Sequence, residues 1–303
     1  NNGPLTLGAS AGNSSIGIYS KGGAVINNGS STIGDNSLGI YGEETSVTTN
    51  DMTIGDKGVG VYLNNTALGQ GDVTVNGNVS VGGNEAIGIQ ASNATGDITV
   101  GSNSLGINKN GNAEVKTTVG KTIAVADNGY GIFAKGGAKV TNNANVTVGE
   151  DSVGIYVDGN NLTSTADVTV ADKGVGLLVK NGGTLTSTGN ISLGSNNAVG
   201  LYADNSNIIQ NGIGIYSKGT GNISTVGNIT VGNDAIGVYK TGKGLVNISS
   251  TMNIGDKGYG AYYVGTSKTD STLNVTGNMT LGKEAVGVYT KNTTVNYNGD
   301  ITV

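Results

Sequence analysis

Apolar and polar residues alternate along this chain in runs of only a few residues, and most runs are closed by glycine. One class reads "ITVG" from Ile98, "VTVG" from Val146, "ISLG" from Ile191 and "MTLG" from Met279. After a polar turn such as "DNS", "EDS" or "NDA" comes a second class: "LGIY" from Leu38, "VGIY" from Val153, "IGVY" from Ile236 and "VGVY" from Val286. A third is looser, as in "AKVTN" from Ala138, "TLNVTG" from Thr272 and "TVNYNG" from Thr294. Alternation over short β-branched runs predicts strands, and no long window carries the 3.6-residue apolar stripe of a helix.

The three classes recur as a unit. Aligned on the glycine inside the apolar-Gly-apolar core, the phrase returns at Gly17, Gly39, Gly60, Gly88, Gly106, Gly131, Gly154, Gly176, Gly200, Gly214, Gly237, Gly260 and Gly287. The interval is roughly 22 residues, with insertions, and a period in this range signals a solenoid. Three short strands separated by Gly, Asn and Asp turns make one coil of a three-sided, all-β parallel helix. One coil cannot cover its own apolar interior, so coils stack at the strand spacing of about 4.8 Å, each hydrogen-bonded to its neighbours. The expectation is a single solenoid over residues 1–303 with about 13 coils, a fragment of a longer repeat array.

Parity assigns the faces. In "VTVG" both valines point inward and the Thr outward; in "VGVY" the valines point inward, leaving Gly and Tyr to share the outer face. Gly34, Gly55, Gly101, Gly149, Gly232, Gly255 and Gly282 recur just after the first strand, where a corner needing a positive backbone angle favours glycine.

Composition narrows the chemistry. Glycine supplies 55 residues and proline 1, without a collagen period. There is no Cys, His, Trp or Arg, so thiol nucleophiles, imidazole ligands and guanidinium clamps are absent and all 16 basic residues are Lys. A formal charge of -5 argues against nucleic acid as a partner. Neither a signal peptide nor an apolar run long enough for a membrane helix is present, and the chain stops at "GDITV", partway through its own phrase. Any targeting signal or anchor is therefore expected outside this segment.

The candidate binding surface is an aromatic column. Tyr19, Tyr41, Tyr62, Phe133, Tyr156, Tyr202, Tyr216, Tyr239, Tyr262 and Tyr289 all follow the second strand's core. The rings either cover exposed glycine backbone or form a flat docking face for sugars or a partner protein. Lys21, Lys135, Lys180, Lys218, Lys240, Lys243 and Lys291 gather just past them, as a basic edge or as solvating corner charges. Acids sit mainly in the first corner, at Asp35, Asp56, Glu150, Asp151, Asp172, Asp234, Asp256 and Glu284. They lack the spacing of a calcium loop and form no cluster that breaks the repeat, so no metal, cofactor or catalytic residue is assigned. Three departures from the period are candidate binding loops: "LNNTALGQGD" after Tyr62, "ADNSNIIQNG" from Ala203 and "YVGTSKTDST" from Tyr263.

"VTVGEDSVGIY", "ITVGNDAIGVY" and "MTLGKEAVGVY" resemble the passenger repeats of type V autotransporters, specifically the large fusobacterial outer-membrane adhesins, over essentially the whole chain. The resemblance implies a right-handed parallel β-helix, exported through the outer membrane by a C-terminal β-barrel outside this segment. It also implies display at the cell surface for attachment to a surface protein or glycan of other bacteria or host cells. A non-enzymatic, monomeric adhesin passenger is therefore expected; the alternatives are a β-helical polysaccharide-degrading enzyme and a trimeric adhesin head.

Overall fold

A computed structural model describes residues 1–8, 15–64, 73–82, 84–90, 93–94, 98–111, 114–189, 191–193, 198–204, 207–210, 215–225 and 228–303. Contacts divide it into two compact units, Asn1–Val157 and Asp158–Val303. Each is a parallel β-solenoid, and among the described residues there is no helix. Together the strands make about 11 turns, close to the thirteen coils that the repeat predicts.

In the first unit the "first" strands stack as one ladder, with Leu7, Ile33, Ile54, Val81, Val100, Val125 and Val148 in register. The second strands form another, through Ile18, Ile40, Val61, Ile89, Ile107, Ile132 and Ile155. Third strands add Val25, Val47 and Val73, and further along Val115 and Val140. Because identical positions repeat at one strand spacing, each inward row is a continuous column of β-branched and aliphatic side chains, most of them fully buried.

The second unit repeats this plan. Leu177, Leu201, Ile215, Val238, Ala261 and Val288 form its second-face row. Leu162, Leu185, Ile208, Ile223, Val246, Leu273 and Val295 hold the third-face register. Its first face is interrupted. Val168–Val170 pairs with Ile191–Leu193, and a separate ladder begins at Asn228–Val231. The 14-residue interval between Gly200 and Gly214 is too short for three strands, and among the described residues no first-face strand lies between Asn207–Gln210 and Ile215–Lys218.

Two expectations about glycine are overturned. The core glycines do not lie outside with the tyrosines: Gly39 and Ile40 are both buried, and Leu38 and Tyr41 are half-buried. A Cβ on Gly39 meets the Gly60 carbonyl oxygen at 2.5 Å and Ile33 Cδ1 at 2.6 Å, and Gly131 and Gly260 are equally crowded. The chain turns here from the first face onto the second. Two consecutive residues face inward, and only a hydrogen fits between the first-strand side chain and the next coil.

Nor do the first-corner glycines carry the positive angle. That falls on the corner's later residues, Asn36, Lys57, Glu85, Asn103, Asn128, Asp151, Lys173, Asp234, Lys257 and Glu284, whose φ values lie between 51° and 59°. Glycine is needed at several of these corners for a different reason. A Cβ on Gly149 meets Asp127 Oδ1 at 2.7 Å, one on Gly255 meets Asn233 Oδ1 at 2.6 Å, and one on Gly282 meets Asp256 Oδ1 at 2.7 Å. Those oxygens accept hydrogen bonds from the next coil: Glu150 N donates to Asp127 at 2.9 Å, Asp256 N to Asn233 at 2.8 Å, and Lys283 N to Asp256 at 2.8 Å. Asp35 takes the Asp56 N–H in the same way. Each corner Asx thus caps a backbone donor that turns out of the ladder.

Candidate functional site

Beyond its core residue, each second strand resumes strict alternation. The aromatic position points out, the next residue in, and the one after out again, as in the half-buried Tyr156, buried Val157 and half-buried Asp158. Stacking at the strand spacing brings successive rings face to face. In the first unit Tyr19, Tyr41 and Tyr62 form one stack, with ring centroids 5.5 Å apart and planes 14° and 18° from parallel. Phe133 and Tyr156 form another at 4.7 Å and 10°, with Tyr130 edge-on to Phe133 and Lys135 Nζ 4.8 Å from the Phe133 centroid. Gln90, in register with Tyr62, and Asn108, in register with Phe133, interrupt the column.

In the second unit Tyr202, Tyr216, Tyr239, Tyr262 and Tyr289 are in register, and Leu178 takes the position before Tyr202. The side chain of Tyr216 lies outside the described residues. Tyr239 and Tyr262 stack at 5.2 Å and 4°, Tyr262 and Tyr289 at 4.5 Å and 15°, and Tyr259 meets Tyr262 edge-on. Burial within this stack, reinforced by the neighbouring phenols, pushes the Tyr262 hydroxyl above the usual tyrosine range. Tyr289 is 41% exposed and Tyr19 56%, so the ends of these stacks are open to solvent.

The lysines do not assemble into a basic edge. Lys21 is in register with Glu43 and pairs with it at 3.3 Å, and the hydrogen bond to Glu43 holds the Lys21 ammonium above its usual range. Lys180, Asp204 and Lys218 alternate in sign along one column. Lys240 leaves the surface altogether: it occupies the inward position after Tyr239, fully buried, with Nζ 2.8 Å from the Gly219 carbonyl and 3.3 Å from Ser217 Oγ. Burial lowers its pKa to about 8. Its in-register neighbour Tyr263 is buried too and donates to the Gly244 carbonyl at 2.7 Å.

Of the corner acids, Asp35 and Asp256 accept backbone N–H bonds from the next coil and Asp151, Asp234 and Glu284 take the positive-φ position, and among the described residues no group of three or more could hold a metal ion. Of the three candidate loops, the segment after Tyr62 lies outside the described residues from position 65 to 72. That from Ala203 is described only in part, its residues 207–210 forming a third-face strand. The third is ordered around Asp270, which accepts from Ser267 N at 3.1 Å, Thr266 Oγ1 at 2.9 Å and Ser271 Oγ at 3.0 Å and pairs with Lys243 at 3.1 Å. These donors, Ser267 first, hold its carboxyl far below the usual carboxylate range. Sequence reasoning missed the corner caps, although Asp or Asn immediately after the first-strand glycine was a visible signal. No family model matches the chain, and neither a curated protein nor a solved structure matches it.

Proposed function

We propose that this chain is a segment of a surface-displayed adhesin passenger of the autotransporter type, a non-enzymatic β-solenoid that binds a surface protein or glycan on another bacterium or host cell. The observation that carries the reading is the outward stack Tyr239–Tyr262–Tyr289, three rings held parallel and in register by the sheet beneath them. Rigid aromatic faces present large amphipathic area with little side-chain entropy to lose, the property a contact surface needs. The net charge of -5 disfavours nucleic acid and leaves neutral partners in reach. In this reading the solenoid acts as a monomer outside the cell, held to the outer membrane by a barrel elsewhere in its parent chain.

The test is adhesion of fluorescent beads carrying the fragment to bacterial and epithelial cells. The comparison is a variant with Tyr239, Tyr262 and Tyr289 each replaced by Thr, which keeps strand propensity. Wild-type adhesion reduced about tenfold or more in a folded variant supports the reading. A wild-type fragment that binds no cell removes adhesion by this segment, and equal binding by the variant removes the aromatic face.

A further inference from the structure

The third face of the second unit carries a different column. Ser224, Asn247, Asn274 and Asn296 occupy one outward register position in successive coils. Asn274 Nδ2 donates to Asn247 Oδ1 at 2.8 Å, and Asn296 Nδ2 donates to Asn274 Oδ1 at 2.8 Å. Two residues along, Thr276 Oγ1 donates to Ser249 Oγ at 3.3 Å. Together these groups line an open groove of about 750 Å³ whose walls contain no charged side chain.

We infer that this groove is a binding site for a neutral oligosaccharide lying along the solenoid axis, an inference that rests on the adhesive reading and gives it a ligand class. An amide has two N–H donors and an oxygen with two lone pairs. The ladder uses one donor and one acceptor of Asn274, which fixes the amide's orientation and leaves one N–H and one lone pair for a ligand. Groups that both donate and accept, repeated at one strand spacing of about 4.8 Å, complement the vicinal hydroxyls of a sugar chain, whose ring-to-ring advance is similar. The amides are already held in place, so little ordering cost falls on binding. A peptide is the poorer fit. The main chain of this face is committed to parallel ladders with the coils on either side, so no strand can be added to it, and the walls offer no charge to read.

The experiment titrates the wild-type fragment with neutral hexasaccharides of glucose, galactose and N-acetylglucosamine, their sulfated counterparts, and a Gly/Ser/Tyr peptide, following Asn side-chain amide resonances. At least one neutral hexasaccharide is expected to shift the amides of Asn247, Asn274 and Asn296. Asn274→Leu is expected to weaken that binding about tenfold or more. Ser249→Lys with Thr276→Lys, at exposed rim positions, should block it without touching the ladder. The inference is overturned by the absence of any neutral-sugar shift, by preference for the sulfated chains or the peptide, or by full binding in both groove variants. Cell adhesion that survives alongside a silent groove removes only this inference, and a wild-type fragment that binds no cell while its groove responds to sugar removes only the adhesive reading.

Discussion

Lys240 sets the sharpest test of the packing. Its ammonium lies in the interior with one carbonyl and one hydroxyl as partners, and burial lowers its pKa from 10.5 to about 8. The folded state therefore holds this proton less tightly than the unfolded chain. Below pH 8 both states are protonated and folding bears the whole cost of the buried charge. Between pH 8 and 10.5 the unfolded state binds more protons, so stability rises with pH; above 10.5 both are neutral and the cost is gone. At about 1.4 kcal/mol per pH unit, that cost is about 3 kcal/mol. Lys240→Met removes the charge but leaves the Gly219 carbonyl without its donor, a loss of about 1–2 kcal/mol. The variant should be more stable than wild type by about 1–2 kcal/mol at pH 7 and less stable by a similar amount above pH 10.5. Guanidinium unfolding of both proteins from pH 7 to 11 gives this difference, and the other titrating lysines and tyrosines cancel from it. The Lys240 ¹³Cε shift reports the titration directly. A stability difference that is flat with pH, or a ¹³Cε midpoint at 10.5, would refute the reasoning.

Substitutions at two further positions examine the corners. Gly260→Ala places a Cβ 2.5 Å from the Gly287 carbonyl oxygen and 2.6 Å from Ile254 Cδ1, so the protein should lose about 2–3 kcal/mol, read as a lower denaturation midpoint. An unchanged midpoint would mean that the second face begins elsewhere. Asp127→Ala strips the acceptor from the Glu150 N–H and should cost about 1 kcal/mol, whereas Asp127→Asn keeps the acceptor and should cost much less. Equal losses in the two variants would assign the aspartate's role to its charge instead.

The strand classes and their interval were legible because a solenoid writes one coil many times, and repetition averages out the weakness of any single short run. Even the loose third class fell where the strands are, at Val140–Asn142, Ser271–Val275 and Thr294–Tyr297. Period-two reasoning failed where its assumption of a straight strand fails. At Gly39 the chain is bending, parity is lost for one residue, and a glycine that seems to face out is packed on Ile33. Corner angles were misplaced because glycine is the usual residue at positive φ, and here its hydrogen makes room for a capping Asx while Lys57, Lys257 or Glu284 bears the strain. Lys240 is the opposite case. Parity places the residue after an outward tyrosine inside, and the habit of assigning lysine to surfaces prevailed over the pattern. The outward aromatic column itself was readable, since in-register copies of one residue at one strand spacing must meet face to face.

The interruptions of that column bear on its role. A stacked pair contributes about 0.5–1.5 kcal/mol, yet Gln90, Asn108 and Leu178 stand in its positions while the strands beneath them keep their register. Backbone ladders and inward rows therefore hold each coil whether or not a ring covers it, and outward positions are released from the demands of the fold. The same holds on the third face, where the position of Asn247, Asn274 and Asn296 is Thr163 and Thr186 in other coils of the second unit. Hydroxyls serve the strand there as well as amides do, so the fold does not demand an amide. Runs of like residues at such released positions, five tyrosines in register on one face of the second unit and three asparagines on another, occur where packing leaves the choice open, and in the adhesive reading proposed above binding is the pressure that would hold them together.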